Sequence, residues 1–315
     1  MRSIIEPGNA AHLTELIKLR YGWVHELRWT PDGRVLALGS GNTVQLYIDG
    51  IGTKADQVLT GHDAPVKSLD FDPHGRYLAT VGADLVSYVW DVSQTTAPML
   101  RLTGYKDALN TVAFSPDRRW LAAAGVEHRI YLWDMAAGGA LHSSFAAHTG
   151  EINSVVFLND ATLLSASRDR KILMWNIPDA TAASLIGQHE NWVRRLTLNP
   201  ARTLLASASK DGAVHLWDAE RQELKAVIDA HEDGADSIAF SPDEKLLVTG
   251  GRDYQIRIWD METVLSKGSL DMRDAVATLS AHTKPVMALA FNPTGTMLVS
   301  GGGDNSVRIW SIGES

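Results

Sequence analysis

Apolar runs, polar positions and turn-forming residues succeed one another at regular intervals along this chain, and Gln188–Asp218 displays the unit most plainly. Val193–Leu198 is apolar-rich and β-compatible, and Asn199-Pro200 closes it with turn chemistry. Leu204–Ala208 reads as a second short strand. Asp211-Gly212 is a two-residue hairpin signal, and Ala213–Trp217 returns as a third strand. Four side chains stand at fixed offsets around these strands: His189, Ser207, Asp211 and Trp217.

The same offsets recur with a period of about 42 residues. The His189 position is taken elsewhere by Arg20, His62, Tyr105, His148, His231 and His282, and the Trp217 position by Tyr47, Trp90, Trp133, Trp175, Trp259 and Trp310. The two positions lie 27 or 28 residues apart each time (231 to 259, 148 to 175). Six residues before the Trp stand Asp84, Asp169, Asp211, Asp253 and Asp304. Four before each Asp stands a hydroxyl: Thr80, Ser165, Ser207, Thr249 or Ser300. Seven repeats, starting near residues 20, 62, 105, 148, 189, 231 and 282, therefore make a single domain over 1–315. Five carry all four residues. The first has Arg20, Ala37, Gly41 and Tyr47 instead, and the third keeps only Trp133, with Tyr105, Ala123 and Glu127 at the other positions.

On these residues the chain resembles the WD-repeat β-propeller family. The family's paired signatures stand as Gly61-His62, Trp90-Asp91, Trp133-Asp134, Trp217-Asp218 and Trp259-Asp260, with Trp175-Asn176 a variant. The likeness covers roughly residues 13 to 312. It implies an all-β fold, a seven-bladed propeller of four-stranded antiparallel blades, each burying its neighbours' faces. Only five residues follow Trp310, too few for a fourth strand in repeat seven, and an unpaired edge is a liability in any sheet. The resemblance implies that the other terminus supplies it. Leu13–Leu19 sits at the right place, although Leu13, Leu16 and Ile17 have helical spacing. One interval is long: Trp259 to His282 is 23 residues against 14 or 15 elsewhere. The excess, Glu262–Asp274, falls between the third and fourth strands of blade six and is expected to be a tolerated surface insertion rather than a dedicated partner loop.

Composition narrows the function classes. The chain has no cysteine, so disulfides and thiolate zinc sites are excluded, and a reducing cytoplasm is the expected location. Neither a signal-peptide core nor a membrane-spanning apolar run is visible, and no membrane role is expected. A net charge of −8 argues against broad binding to nucleic acid, which would need a local basic patch.

Apparent catalytic motifs dissolve on inspection. A hydroxyl, a His and an Asp come together five times, like a hydrolase triad. The resemblance instead implies one buried chain of hydrogen bonds through Asp, His, hydroxyl and indole, held because an unpaired buried polar group costs about 1–3 kcal/mol. No G-x-S-x-G elbow accompanies them. Gly61–Ser68 (GHDAPVKS) nears a phosphate-binding loop, but Val66 replaces the second glycine. His25-Glu26, His189-Glu190 and His231-Glu232 start like zinc helices without the second His. No catalytic residue, metal or cofactor is expected.

Function is then expected on positions the fold leaves open. In the family, the residue before the tetrad Asp and the third and fifth residues after the His position lie on the face bearing the His loops. Before the Asp stand Arg168, Lys210 and Arg252 in three consecutive blades. The other two sets contribute Trp23, Trp192 and Arg194, with Glu151 and Asp236 close by. Arg168, Arg194, Lys210 and Arg252 with Trp192 and Trp23 are the candidate partner-binding residues, since Arg and Trp dominate interface hot spots. The leading expectation is a non-enzymatic adaptor, a monomeric propeller within a larger complex that presents this face to a protein partner. The alternative is a phosphorylated or nucleic-acid ligand on the basic patch of blades four to six.

Overall fold

The computed structural model describes residues 2–94, 97–177, 179 and 183–313, and among them every expected blade is present. Seven antiparallel sheets follow one another along the chain, and the fold is a seven-bladed β-propeller. Blade two shows the plan: Val66–Phe71, Tyr77–Gly82, Ser87–Asp91 and Leu100–Leu102 pair in sequence order. Blade five repeats it with Val193–Leu198, Leu204–Ser209, Ala213–Asp218 and Glu223–Asp229. The second strand of a blade is buried at nearly every position. Leu246–Gly251 and Trp120–Gly125 are buried at every position. This is why these strands read as apolar runs without alternation.

The chain folds as two compact units, Met1–His25 with His189–Ser315, and Glu26–Gln188. In the second unit, hydroxyls on first strands tie one blade to the next. The Val112 N–H donates to Ser68 Oγ (3.4 Å), and the Val155 N–H to Thr111 Oγ1 (3.1 Å). Ser237 Oγ does the converse in the first unit, donating to the Val286 carbonyl at 2.9 Å. The side chains are buried, and each such bond satisfies a backbone group that would otherwise be unpaired.

Leu13–Arg20 closes blade seven as an antiparallel partner of Ser306–Ile312, in register from Leu13↔Ile312 to Arg20↔Ser306. Tertiary pairing thus overrides the helical spacing, and the register shift between Glu15 and Ile17 explains that spacing. Leu16 is the bulge residue and stays exposed, while Leu13 and Leu19 are buried. Glu15 also pairs with Arg308 across the two strands. Upstream, buried Ile5 donates its N–H to the Gly295 carbonyl of blade seven (2.8 Å).

The long interval in blade six is more than a surface insertion. Asp260 caps a helix, Met261–Lys267, by accepting from the Thr263 N–H. Gly268, at φ 70, ends it in the left-handed conformation that glycine adopts without strain. Ser269–Asp271 then runs parallel to Glu223–Asp229 as a fifth strand of blade five, covering its free edge. Val264, Met261 and Leu270 are buried with Ala226 and Ile228 of that blade. The expectation missed this because the apolar positions of so short a segment do not reveal which neighbour they pack against.

Candidate functional site

Four of the five complete tetrads form unbroken hydrogen-bond chains, and the fifth, in blade five, is joined at its Asp by an ion-pair contact alone. In blade two, His62 Nδ1 lies 2.9 Å from Asp84, its Nε2 lies 2.8 Å from Thr80 Oγ1, and the Trp90 indole N–H donates to the same oxygen at 2.9 Å. His148, Ser165, Asp169 and Trp175 repeat this at 2.7–2.8 Å. So do His231, Thr249, Asp253 and Trp259 at 2.8–3.0 Å, and His282, Ser300, Asp304 and Trp310 at 2.8–3.1 Å. In blade five, His189 Nε2 meets Ser207 Oγ at 2.8 Å and Trp217 donates to it at 2.9 Å, with Asp211 3.3 Å from Nδ1. All five hydroxyls are fully buried and already serve both the imidazole and the indole. Such an oxygen reaches no substrate.

Electrostatics agree with that reading. Burial tends to raise the carboxyl pKa of Asp169, Asp211 and Asp253, but the partner His together with nearby backbone N–H and side-chain donors outweighs it and holds each at about 2. Burial pushes His62 and His282 down, against their Asp partners, which favours neutral imidazole. Blade five differs in one respect. His215 stacks on His189, centroids 3.7 Å apart and planes at 16°, and burial together with this neighbour pushes His215 down to about 4.

Blade three wires the same positions differently. Glu127 accepts from the Lys106 N–H (2.9 Å) and the Tyr131 hydroxyl (2.5 Å). Tyr105 meets Ser87 Oγ at 2.9 Å, and the Trp133 indole donates to the Thr103 carbonyl at 3.1 Å. The residue two before the Trp also differs and joins the local wiring: Tyr131 here, His215 in blade five, and Arg257 in blade six, which pairs with Asp253 at 2.5 Å. Sequence reasoning passed over that position because it carries no constant residue type.

The candidate partner-binding residues fall in several places. Arg168, in the unit Glu26–Gln188, pairs with Glu151 at 2.7 Å. The rest belong to the other unit. Trp23 is 51% exposed and stacks on His25 with centroids 5.2 Å apart. A β carbon on Gly303 would stand 3.1 Å from the Trp23 indole nitrogen, so a glycine before the blade-seven Asp makes room for this ring.

Four of the expected residues converge on blades five and six. The buried carboxylate of Asp236 takes Arg194 Nε on one oxygen (2.9 Å) and Arg252 Nε on the other (3.0 Å). Lys210 Nζ lies 4.3 Å above the centre of the Trp192 ring, and the Arg194 guanidinium carbon lies 6.0 Å from it. Gly234 separates the two blades. A β carbon there would stand 3.4 Å from both the Lys210 backbone and Arg252 Cδ, so Lys210 and Arg252 flank one gap. Among the described residues no carboxylate pairs with Lys210. Two guanidiniums on one carboxylate, with Lys210 on the adjoining Trp192 ring, set three cations in these blades on a chain of net charge −8. Such an arrangement favours anionic groups and offers an aromatic surface beside them. Among the described residues no cluster of His, Asp and Glu is arranged to hold a metal.

Comparison with known proteins agrees with this architecture. A family model described as WD domain, G-beta repeat matches residues 54–91, 96–134, 139–176, 182–218, 222–260 and 273–311. Among curated proteins, WD repeat and HMG-box DNA-binding protein 1 of Mus musculus is 38% identical over 64 residues, 20% of this chain and 6% of that protein. WD repeat-containing protein SL1-17 of Schistosoma mansoni is 38% identical over 76 residues, 24% of this chain and 25% of its own length. The Periodic tryptophan protein 2 homolog of Dictyostelium discoideum is 32% identical over 63 residues, 20% of this chain and 7% of its own. The matched segments thus span a quarter or less of each of these relatives.

Proposed function

This chain belongs to the WD-repeat family, and from that premise we propose that it is a non-enzymatic platform presenting the Trp192–Lys210–Arg252 cluster to an acidic segment of a partner protein. The observation that carries the reading is Asp236. A buried carboxylate holding two guanidiniums beside a lysine on a tryptophan ring is more than the tetrads require. It orders the cationic side chains before any partner arrives, which lowers the entropic cost of binding. A cytoplasmic location and a place within a larger complex belong to the same proposal.

The test changes Arg168, Arg194, Lys210 and Arg252 together to Glu and compares partner recovery with the unaltered chain. Recovery should be lost well below the melting temperature, which should itself fall because Asp236 loses both guanidiniums. Equal recovery would discard the cluster as the binding surface.

The basic character of the cluster also supports a second reading, a phosphorylated or nucleic-acid ligand. The name of one relative mentions DNA binding, but the shared segment is 6% of that protein. Salt separates the two readings, because each neutralised nucleic-acid phosphate steepens the fall of affinity with ionic strength.

A further inference from the structure

A second concave surface lies between blades two and three, at the ends of the strands opposite their His-bearing loops. Its volume is about 550 Å³, within the range of ligand-accepting cavities. Tyr77, Met99 and Leu100 of blade two and Phe114 and Met135 of blade three make its floor.

Two observations set this place apart. Met135 follows its blade's Trp by two residues and donates its N–H to the Arg119 carbonyl at 2.8 Å. Val92, Ile177, Ala219 and Met261 make the same backbone bond in their own blades. All four of those side chains are buried, whereas Met135 is only half-buried, as is Ile312 at the same offset in blade seven, and Met99 beside the same cavity is 47% exposed. An apolar side chain that the repeat normally covers is here left uncovered.

The second observation is the polarity of the ion pairs around it. Arg76 pairs with Asp91, Arg118 with Asp72 and Arg119 with Asp134, at 2.9, 2.9 and 3.4 Å. In each pair the guanidinium is outermost: the side-chain exposures are 50% against 10%, 37% against 0% and 56% against 17%. Arg76 and Arg118 also lie against the Tyr77 ring, at 5.1 and 5.8 Å from its centre. The exposed carboxylate of Asp117 is turned onto its own loop, where it accepts from Ser115 Oγ and the Arg119 N–H. Although four carboxylates stand against three guanidiniums, in every ion pair it is the guanidinium that faces outward around the apolar floor.

We propose that this cavity is a docking site for an extended segment of a partner protein that sets one bulky apolar side chain beside a carboxylate. The apolar group fills the space over Met99 and Met135, and the carboxylate meets Arg119, whose 3.4 Å pairing with Asp134 is the longest of the three. The site does not depend on the blade five and six cluster and would leave both surfaces usable at once.

The test pans a library of displayed random dodecapeptides against the full chain and measures the enriched peptides by fluorescence anisotropy. Enriched sequences should carry Leu, Met, Phe or Trp next to Asp or Glu. Their binding should weaken by about tenfold or more in Arg119→Glu and in Met99→Glu and stay unchanged in Lys210→Glu. Both altered side chains are exposed, so the variants should melt like the unaltered chain. Should Met99→Glu melt early, Ala136→Glu, at an exposed position beside the cavity, replaces it. The proposal is overturned by an absence of enrichment, by a consensus lacking either the apolar or the acidic residue, or by binding that only Lys210→Glu removes. Self-association of the chain that Arg119→Glu abolishes would also overturn it, because the occupant would then be a second copy.

Discussion

Blades three and five have the same strand order and end their third strands in the same Trp-Asp pair, yet share little of their buried polar wiring. Blade five runs His189, Ser207 and Trp217 into one hydrogen-bonded chain, with Asp211 in ion-pair contact at 3.3 Å from His189. Blade three has no such chain: Glu127 takes a tyrosine hydroxyl and a backbone N–H, and Trp133 donates to a carbonyl. A blade thus requires that each buried donor and acceptor be paired, whichever residues do it. The tetrad is one solution among several, and its repetition in five blades reports on scaffold and not on partner.

The largest effect expected lies where no rewiring can compensate. Deleting residues 2–19 removes the strand that pairs with Ser306–Ile312 and opens a full sheet edge. Soluble expression should fail or the melting temperature drop sharply. A truncated chain that melts like the full one would contradict the closure.

Next in size is a matched pair of substitutions in the two blades. Asp211→Ala strips the Glu190, Asn191 and Ala213 N–H groups of their acceptor, takes the carboxylate from beside His189, and should cost about 2 kcal/mol. Glu127→Ala removes contacts nearer the solvent and should cost about 1 kcal/mol or less in chemical denaturation. Equal losses would erase the distinction between the blades.

Acid sharpens the comparison further. His215 titrates near 4 in the folded chain and near 6.5 when unfolded. Between those values the unfolded chain takes up a proton that the folded chain refuses, so stability falls as pH falls through that window. Asp211, at about 2 folded against 3.8 unfolded, adds a loss that begins only below about pH 4. Tyr88 and Tyr131 occupy the His215 position in blades two and three, so His215→Tyr should be tolerated. Melted at pH 7.5 and pH 5, this variant should lose less than the unaltered chain, by roughly a few degrees. An identical pH profile would show that the stacked imidazoles are not the acid-sensitive point.

The fold was legible because a repeat multiplies weak local signals. The His, hydroxyl, Asp and Trp offsets identified the blades, and Leu13–Arg20 was placed by topology against its own helical spacing. What escaped was what depends on contacts between repeats. Nothing in Glu262–Asp274 says that it adds a strand to blade five. Nor does the sequence around Met135 say that its side chain is left half-buried where Val92, Ile177, Ala219 and Met261 are buried. In the candidate site, Arg194, Lys210, Arg252 and Trp192 were legible as positions the scaffold does not use. That Asp236 bridges two of them, and that Gly234 leaves the gap between Lys210 and Arg252, required coordinates.

The most direct measurement reads stability and partner retention side by side in Asp211→Ala and in the Lys210→Glu, Arg252→Glu double variant. Scaffold and recognition surface should separate: the first should melt earlier yet retain its partner well below its melting point, and the second should lose the partner even there, melting earlier only by what depriving Asp236 of Arg252 costs. Loss of partner in a still-folded Asp211→Ala, with full retention in the double variant, would contradict the account.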